Sequence, residues 1–168
     1  TLHVGGTPGN GTYYDVSFDK VDANGNVTGY PVTANSFYEL SACVSVHRAV
    51  AQLYFERRNS ADQVIGYTGA GGNVGNNGAA GGSVKTFPRC ILFGQAPTGA
   101  TSVRLRGRML HTGEADPYVF FSALQFCTAL AGQTEGSPYV APGQTTINGA
   151  SLLTGSIQAD RIVADSIT

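Results

Sequence analysis

The sequence predicts an all-β fold, an antiparallel β-sandwich followed by a short repetitive C-terminal segment. Runs of alternating apolar and polar residues, separated by Gly, Asn and Asp, recur through roughly the first 130 residues, without the period of a capped helix. Charged residues make up 12% of the chain, about half of the usual share, so Thr, Ser, Asn and Gly must cover much of the surface. A five-residue apolar repeat sets the C-terminal segment apart.

Seven segments have the alternation of a β-strand, and seven or eight strands are typical of a sandwich. An Asn-Gly step at Asn24-Gly25 and a polar turn at residues 58–62 predict two hairpins. Residues 69–82, rich in Gly and Asn, predict a long surface loop because they cannot bury apolar area. The predicted strands are residues 13–18, 36–47, 49–58, 63–68, 82–93, 101–110 and 118–126.

Charge and cysteine content argue against several classes of protein. The formal net charge is −1, whereas binding to nucleic acid or to an anionic membrane demands a basic excess. Neither an apolar run of membrane-spanning length nor a signal peptide is visible, so no membrane insertion is expected. Cys43, Cys90 and Cys127 lack CxxC spacing and predict buried free thiols. Because the chain begins at Thr1 rather than Met, we expect an excerpt of a longer polypeptide or a processed product.

The five-residue repeat near the C-terminus fits neither a single helix nor a single strand. On a helix, a step of five advances about 140° beyond a full turn, so the apolar residues wander around the axis. In a flat strand, an odd step places successive members on opposite faces. We therefore expect other copies of the chain to complete the core of this segment. The predicted trimerisation residues are Ile147, Leu152, Ile157, Ile162 and Ile167.

A change of composition near Gly132 predicts the domain boundary. Residues 132–144 contain several Gly residues together with Pro138 and Pro142, which block continued sheet pairing and favour a linker. We therefore predict a sandwich over residues 1–131, a linker over residues 132–144 and the start of an intertwined fibre stem over residues 145–168.

The C-terminal segment resembles a family of phage proteins. Residues 154–162 read T-G-S-I-Q-A-D-R-I, which is similar to the T-G-x-I-x-A-D-x-I segments of central tail fibres in lambda-type tail-tip, host-specificity proteins. Residues 38–42 and 53–57 resemble parts of the carbohydrate-binding-module-like jelly rolls inserted in such proteins. The resemblance implies a jelly-roll sandwich, a homotrimer, contacts with other tail proteins and a place in the virion, at the tail tip or fibre. It carries over no binding residue.

Two predicted strands carry the candidate binding residues. In residues 101–110, the three Arg residues alternate with apolar residues and therefore share one sheet face. In residues 49–58, a Tyr lies between polar side chains on the face opposite to the apolar residues, and its ring offers an apolar surface to sugar C–H groups. The candidate glycan-binding residues are Gln52, Tyr54, Glu56, Arg104, Arg106 and Arg108.

Arg donors suit carboxylates, sugar hydroxyls and phosphates, so this face is predicted to contact an acidic bacterial surface polysaccharide or a lipopolysaccharide. The alternative is a solvated face whose Arg residues pair with Glu39 or Glu56. Three weak sites on one trimer would reinforce one another in host attachment. The competing interpretations of the chain are a structural spacer of the fibre without a receptor site, a depolymerase accessory domain, or a secreted bacterial glycan-binding module.

Catalytic and metal-binding patterns are weak. Residues 22–26 supply oxygen ligands like the start of a calcium loop, but Val27 stands where an EF-hand needs Gly, so a turn is favoured. Residues 111–116 group one His with two carboxylates in a predicted turn. Glu39 and Glu56 could be neighbours on one sheet face, as a glycosidase pair would be, yet no motif supports this. We expect no enzyme, metal site or cofactor.

Overall fold

A computed structural model describes residues 2–5, 12–68, 71–74 and 87–140, and these ranges contain twelve strands and no helix. Accordingly, the described ranges contain no helix that could cross a membrane. The strands are β1 (Leu2–Gly5), β2 (Tyr13–Ser17), β3 (Lys20–Val21), β4 (Val27–Thr28), β5 (Tyr30–Pro31), β6 (Phe37–His47), β7 (Ala49–Arg58), β8 (Val64–Tyr67), β9 (Gly71–Val74), β10 (Arg89–Gln95), β11 (Ser102–His111) and β12 (Tyr118–Ala129).

The strands form two large antiparallel sheets and one small hairpin. The four-stranded sheet has the order β1-β12-β6-β10. The six-stranded sheet has the order β2-β11-β7-β8, with β5 pairing to β11 and β9 pairing to β7. The hairpin consists of β3 and β4. The prediction of an all-β, antiparallel fold is confirmed.

One apolar core joins the two large sheets. Leu40, Val44 and Val46 of β6 are fully buried, and so are Leu53 of β7 and Leu105 of β11. Their positions alternate along each strand, as expected for a sheet that buries one face. This packing is consistent with a β-sandwich, while the jelly-roll topology stays a prediction.

Gly107 shows how closely the two sheets approach. It occupies an inward position of β11, between Leu105 and Met109, where a Cβ would lie 2.9 Å from Cζ of Phe121 and 3.0 Å from the ring of Phe18. Those two rings pack edge to face, with their centroids 5.5 Å apart. A side chain at this position would therefore collide with an aromatic pair in the core.

Both predicted hairpins are confirmed. Asp22 stabilises the turn between β3 and β4, because its Oδ1 accepts hydrogen bonds from the backbone N–H groups of Asn24 (2.8 Å) and Asn26 (2.9 Å). Gly25 has a φ of +83°, as such a turn requires. Asn59 has the same role between β7 and β8, where its Oδ1 accepts from the N–H groups of Ala61 and Gln63.

Two strand predictions need correction. The predicted loop over residues 69–82 contains β9, which pairs with β7, because backbone hydrogen bonds need no apolar side chain when a neighbouring strand offers its edge. The strand predicted over residues 82–93 is observed as Arg89–Gln95, and residues 87 and 88 are not in a strand. Residues 82–86 lie outside the described ranges.

The described part of the predicted linker lies against the four-stranded sheet. The backbone N–H of Ser137 donates to Glu39 Oε2 at 2.7 Å, and that of Val140 donates to Gln125 Oε1 at 3.1 Å. A Cβ at Gly136 would lie 2.5 Å from Cδ1 of Ile91. The domain boundaries stay predictions, and the repeat residues Ile147, Leu152, Ile157, Ile162 and Ile167 lie outside the described residues.

The three cysteines lie in the described part of the chain, where no disulfide joins them. Cys90 is buried in the core, and this burial raises the pKa of its thiol to about 12. Cys43 and Cys127 are only half-buried, so the prediction of buried thiols holds for Cys90 alone.

Candidate functional site

An open groove of about 550 Å³ lies on the face of the six-stranded sheet that points away from the core. Strands β2, β11, β7 and β8 each contribute to it, and the alternation along each strand directs every second side chain to this face. Aromatic and charged side chains predominate in its lining. The lining residues are Tyr13, Asp15, Ser17, Tyr54, Glu56, Tyr67, Thr68, Arg106 and Arg108.

The six residues predicted from the sequence share this outer face. Strands β7 and β11 are antiparallel neighbours, and their register places the six residues directly opposite one another in three cross-strand pairs. Four of the six line the groove, whereas Gln52 and Arg104 lie on the same face beyond its lining. The pairs are Gln52 with Arg108, Tyr54 with Arg106, and Glu56 with Arg104.

The remaining lining residues were not among the binding residues predicted from the sequence. Tyr13, Asp15 and Ser17 alternate along β2, which pairs with β11 so that Asp15 lies opposite Arg108 and Ser17 lies opposite Arg106. Tyr67 of β8 lies opposite Glu56. The alternation in residues 13–17 could have predicted which side chains share one face of β2. It could not have predicted that β2 pairs with β11.

Asp15 and Arg108 form the best-defined ion pair of the groove. Arg108 donates from Nε to Asp15 Oδ1 at 2.7 Å and from Nη2 to Asp15 Oδ2 at 2.9 Å, and the Tyr54 hydroxyl donates to Oδ2 at 2.7 Å. Burial favours the neutral form of Asp15. The hydrogen bonds from Arg108 and Tyr54 and the charges of Arg108 and Arg106 outweigh burial and lower the pKa of Asp15. Asp15 is therefore ionised and fixed in orientation.

Arg108 also lies between two tyrosine rings. Its guanidinium carbon is 3.7 Å from the ring centroid of Tyr13 and 4.9 Å from that of Tyr54. Such cation–π contacts stabilise the guanidinium and restrict its rotation. The Tyr54 ring meets the Tyr67 ring edge to face, with centroids 6.0 Å apart.

Arg106 lies at the floor of the groove, between two carboxylates. Its Nη1 donates to both oxygens of Asp19 at 2.9 Å and to the Ser17 hydroxyl. Its Nε and Nη2 donate to Glu56 Oε2 at 3.4 Å and 3.3 Å. The side chains of Arg106, Glu56 and Asp19 are only 10%, 11% and 12% exposed. Every nitrogen of this guanidinium therefore has an internal partner.

A second ion-pair cluster extends beyond the groove. Arg104 Nη2 lies 2.7 Å from Asp62 Oδ2, and Arg58 bonds to both Asp62 and Glu56. The pairing of the Arg residues with Glu56 agrees with one part of the solvated-face alternative. Glu39 does not take part, because it lies on β6 in the other sheet.

The idea of Glu39 and Glu56 as neighbours on one sheet face is wrong. Their strands are consecutive in the sequence, but β6 belongs to the four-stranded sheet and β7 to the six-stranded sheet. The chain crosses between the sheets at Arg48, whose φ is +54°. The two carboxylates thus lie on opposite sides of the core.

Exposure distinguishes the three tyrosines of the groove. Tyr54, the sugar platform predicted from the sequence, is only 8% exposed, and its hydroxyl is bound to Asp15. Tyr13 and Tyr67 are 53% and 58% exposed. The rings that a ligand can reach are therefore those of Tyr13 and Tyr67, and Tyr54 positions Asp15 and Arg108.

No family model matches the sequence, and no curated protein matches it. Similar solved structures include two that each align over about three quarters of this chain. One is the Clostridium thermocellum endo-1,4-β-D-xylanase 10B, comprising its CBM22-1 and GH10 modules complexed with xylohexaose, with 11% identity and a TM-score of 0.42 over 75% of this chain. The other is the enzymatically active domain of bacteriophage CBA120 tailspike protein 4, with 10% identity and a TM-score of 0.39 over 76% of this chain.

The match spans 26% of the xylanase chain and 19% of the tailspike chain. Both TM-scores are below 0.5, so neither likeness indicates a function for this chain.

Other polar groups singled out from the sequence have partners within the chain. His111 Nδ1 accepts a hydrogen bond from the backbone N–H of Gly113, and Glu114 lies 3.9 Å from Arg48. Residues 22–26 form the hairpin turn described above. Within the described residues, no group of three or more His, Cys, Asp or Glu side chains is arranged to hold a metal ion.

The hydroxyl of Tyr54 provides a test of the groove's electrostatics. Burial, its hydrogen bond to Asp15 and the negative charge of Asp15 raise its pKa to about 12. Since this value exceeds that of an unfolded tyrosine, about 10, the stabilisation that Tyr54 contributes is complete below pH about 10 and is lost towards pH about 12. Ultraviolet titration at 295 nm should therefore show a tyrosinate step near pH 12 that is absent from Tyr54→Phe. An unchanged step in that variant would contradict the assignment.

Proposed function

We propose that this chain is part of a tailed-phage tail fibre or tail tip and that it attaches to bacterial surface glycan through the groove. The observation that carries the proposal is the combination of two exposed rings, Tyr13 and Tyr67, with a fixed Asp15–Arg108 pair in one concavity. The phage context comes from the resemblance of residues 154–162 to tail-fibre segments.

The groove has the chemical groups that sugar recognition needs. A pyranose ring presents apolar C–H groups on one face, which pack on tyrosine rings such as those of Tyr13 and Tyr67. Its hydroxyls, around the rim, donate to carboxylates and accept from guanidinium groups. Because Asp15 and Arg108 hold each other in place, little conformational entropy is lost when a ligand binds them.

In the proposed assembly, the sandwich is a jelly-roll module, and the repeat over residues 147–167 joins three chains into a homotrimeric stem. Three grooves on one particle raise the strength of attachment without strengthening any single site, because the second and third contacts become intramolecular. The module acts in the virion, beside other tail proteins and at the bacterial outer surface. The proposal includes no catalytic step and no cofactor.

Binding of the assembled protein to an array of purified bacterial polysaccharides and lipopolysaccharides tests the role of the groove. Tyr13→Ala and Tyr67→Ala should each weaken binding about tenfold, which corresponds to about 1.4 kcal/mol, since each removes one ring contact. Tyr139→Ala is the matched control, because Tyr139 is 42% exposed and does not line the groove. Absence of binding by the unaltered protein, or equal binding by all variants, would refute the proposal.

One observation favours the second candidate function, a structural spacer. Arg104, Arg106 and Arg108 are each engaged by a carboxylate of the same chain, as a purely structural surface would have them. A spacer should tolerate changes in the groove. Phage particles carrying Tyr13→Ala and Tyr67→Ala together would then adsorb to host cells at the unaltered rate, whereas a receptor-binding module predicts slower adsorption.

A further inference from the structure

Positive and negative side chains around the groove are equal in number. This balance affects whether the groove can bind a charged or an uncharged glycan. Four guanidinium groups and four carboxylates alternate across strands β2, β11 and β7 and the adjoining turns, each within ion-pair distance of an opposite charge. No excess of positive charge is left on this face among the described residues. The members are Arg58, Arg104, Arg106 and Arg108 with Asp15, Asp19, Glu56 and Asp62.

Arg106 cannot serve as an anion receptor. Its Nε and Nη2 are occupied by Glu56, and its Nη1 is shared between Asp19 and Ser17. A carboxylate or phosphate of a ligand would have to displace one of these internal partners. The displaced carboxylate would then lose a counter-charge while its side chain is only 11% or 12% exposed, which is costly.

Arg108 has only part of its N–H donors available to a ligand. Two of its three nitrogens are bound by Asp15 in a bidentate pair, and the third, Nη1, makes no hydrogen bond within the described part of the chain. The edge of the guanidinium formed by Nε and Nη2 is therefore taken by Asp15, and a ligand anion could approach only from the Nη1 side. Any anion near Nη1 would also lie close to the negative charge of Asp15.

A hydroxyl group fits this arrangement better than an anion. It can accept from Arg108 Nη1, and a neighbouring hydroxyl can donate to the remaining lone pair of Asp15 Oδ1, because hydroxyls are both donors and acceptors. A carboxylate or phosphate only accepts, so it has nothing to offer Asp15. Two adjacent sugar hydroxyls can supply both hydrogen bonds without bringing a second negative charge close to Asp15.

We infer that the groove binds an uncharged glycan, through vicinal hydroxyls at Asp15 and Arg108 and ring contacts at Tyr13 and Tyr67, rather than an acidic polysaccharide. This inference rests on the proposed function and narrows it. It differs from the sequence-based expectation that Arg104, Arg106 and Arg108 contact an acidic polymer, because each of these residues is paired with a carboxylate of the same chain.

The test uses a panel of purified bacterial polysaccharides, some neutral and some rich in uronic acid, measured at 50 mM and at 500 mM NaCl. We expect binding that depends on Tyr67 to favour neutral polymers and to change less than about twofold with salt, because no counterion release accompanies a neutral ligand. For an acidic polymer that binds, chemical reduction of its carboxyl groups to alcohols should leave binding intact. Asp15→Asn should weaken binding to neutral polymers about tenfold.

The outcomes separate the two claims. Tyr67-dependent binding confined to acidic polymers, lost at high salt or after carboxyl reduction, overturns the inference about ligand charge while supporting the groove as a glycan site. Absence of binding to every polymer, in both salt conditions, overturns the proposed function and the inference together. Circular dichroism and a thermal melt of Asp15→Asn establish that its loss of binding is not a loss of fold.

Discussion

Replacing Arg106 by Met is expected to lower the free energy of unfolding by about 3 kcal/mol. The substitution keeps much of the side-chain length but removes the positive charge between Asp19 and Glu56, whose side chains are only 12% and 11% exposed. Removing one member of a buried ion pair typically costs about 3–5 kcal/mol, because the remaining charge loses its partner without regaining water. The lower value applies here, since Glu56 retains its bond to Arg58.

Arg104→Met is the matched control, on the same strand and the same face. The partner of Arg104 is Asp62, whose side chain is 58% exposed, so this ion pair should contribute at most about 1 kcal/mol. Urea unfolding of the two variants, monitored by circular dichroism, measures the difference between their free energies of unfolding, provided that the m-value is the same in both. Equal destabilisation by the two substitutions would mean that burial does not govern the strength of these pairs.

The strands that build the groove were largely predictable from local pattern. Strand β7 was predicted with its observed bounds, and β11 was displaced by one residue, because apolar and polar residues alternate along most of each strand. The same alternation placed the three Arg residues with Tyr54 on the outer face. The orientation of a half-buried strand can therefore be predicted from its own sequence.

The partners of those strands were not predictable, because sheet pairing is a long-range property. Asp15 bonds to Arg108 across 93 positions, and nothing in residues 13–17 specifies that β2 pairs with β11. Without that pairing, Arg108 looks like a free cation available to an acidic ligand. In the structure, Arg108 is paired with a carboxylate that lies 93 positions away in the sequence, and the inference of an uncharged ligand rests on this pair.

Glu39 illustrates a different failure of local pattern. Its position in β6 alternates with Leu40 and Ala42, so it faces away from the core and was expected to be solvated or cross-paired on the sheet. Instead it is fully buried, because residues 133–137 cover that face of the four-stranded sheet. Alternation tells which face a residue occupies but not whether another segment covers that face.

The buried carboxylate of Glu39 also attaches the segment over residues 133–137 to the four-stranded sheet. Glu39 Oε2 accepts from the backbone N–H of Ser137 at 2.7 Å and from Gln133 Nε2 at 3.4 Å, and Oε1 lies 3.5 Å from Arg89. One side chain thus joins the sheet to the segment that leads towards the predicted stem. Glu39→Ala should lower the free energy of unfolding by about 3–4 kcal/mol, because it breaks a buried ion pair and leaves the Ser137 N–H without its acceptor.

Glu39→Gln separates charge from shape, since it keeps the volume and one acceptor oxygen while removing the ion pair with Arg89, and about half of the loss is expected. Glu135→Ala is the control in the covering segment, where an exposed side chain should contribute less than about 0.5 kcal/mol.

Hydrogen exchange at the Ser137 amide provides the local measurement. It should accelerate at least about tenfold in Glu39→Ala and remain unchanged in Glu135→Ala, because only the first substitution removes the acceptor that protects this amide. Exchange that is equally slow in both variants would show that packing, such as that of Gly136 on Ile91, holds the segment without Glu39.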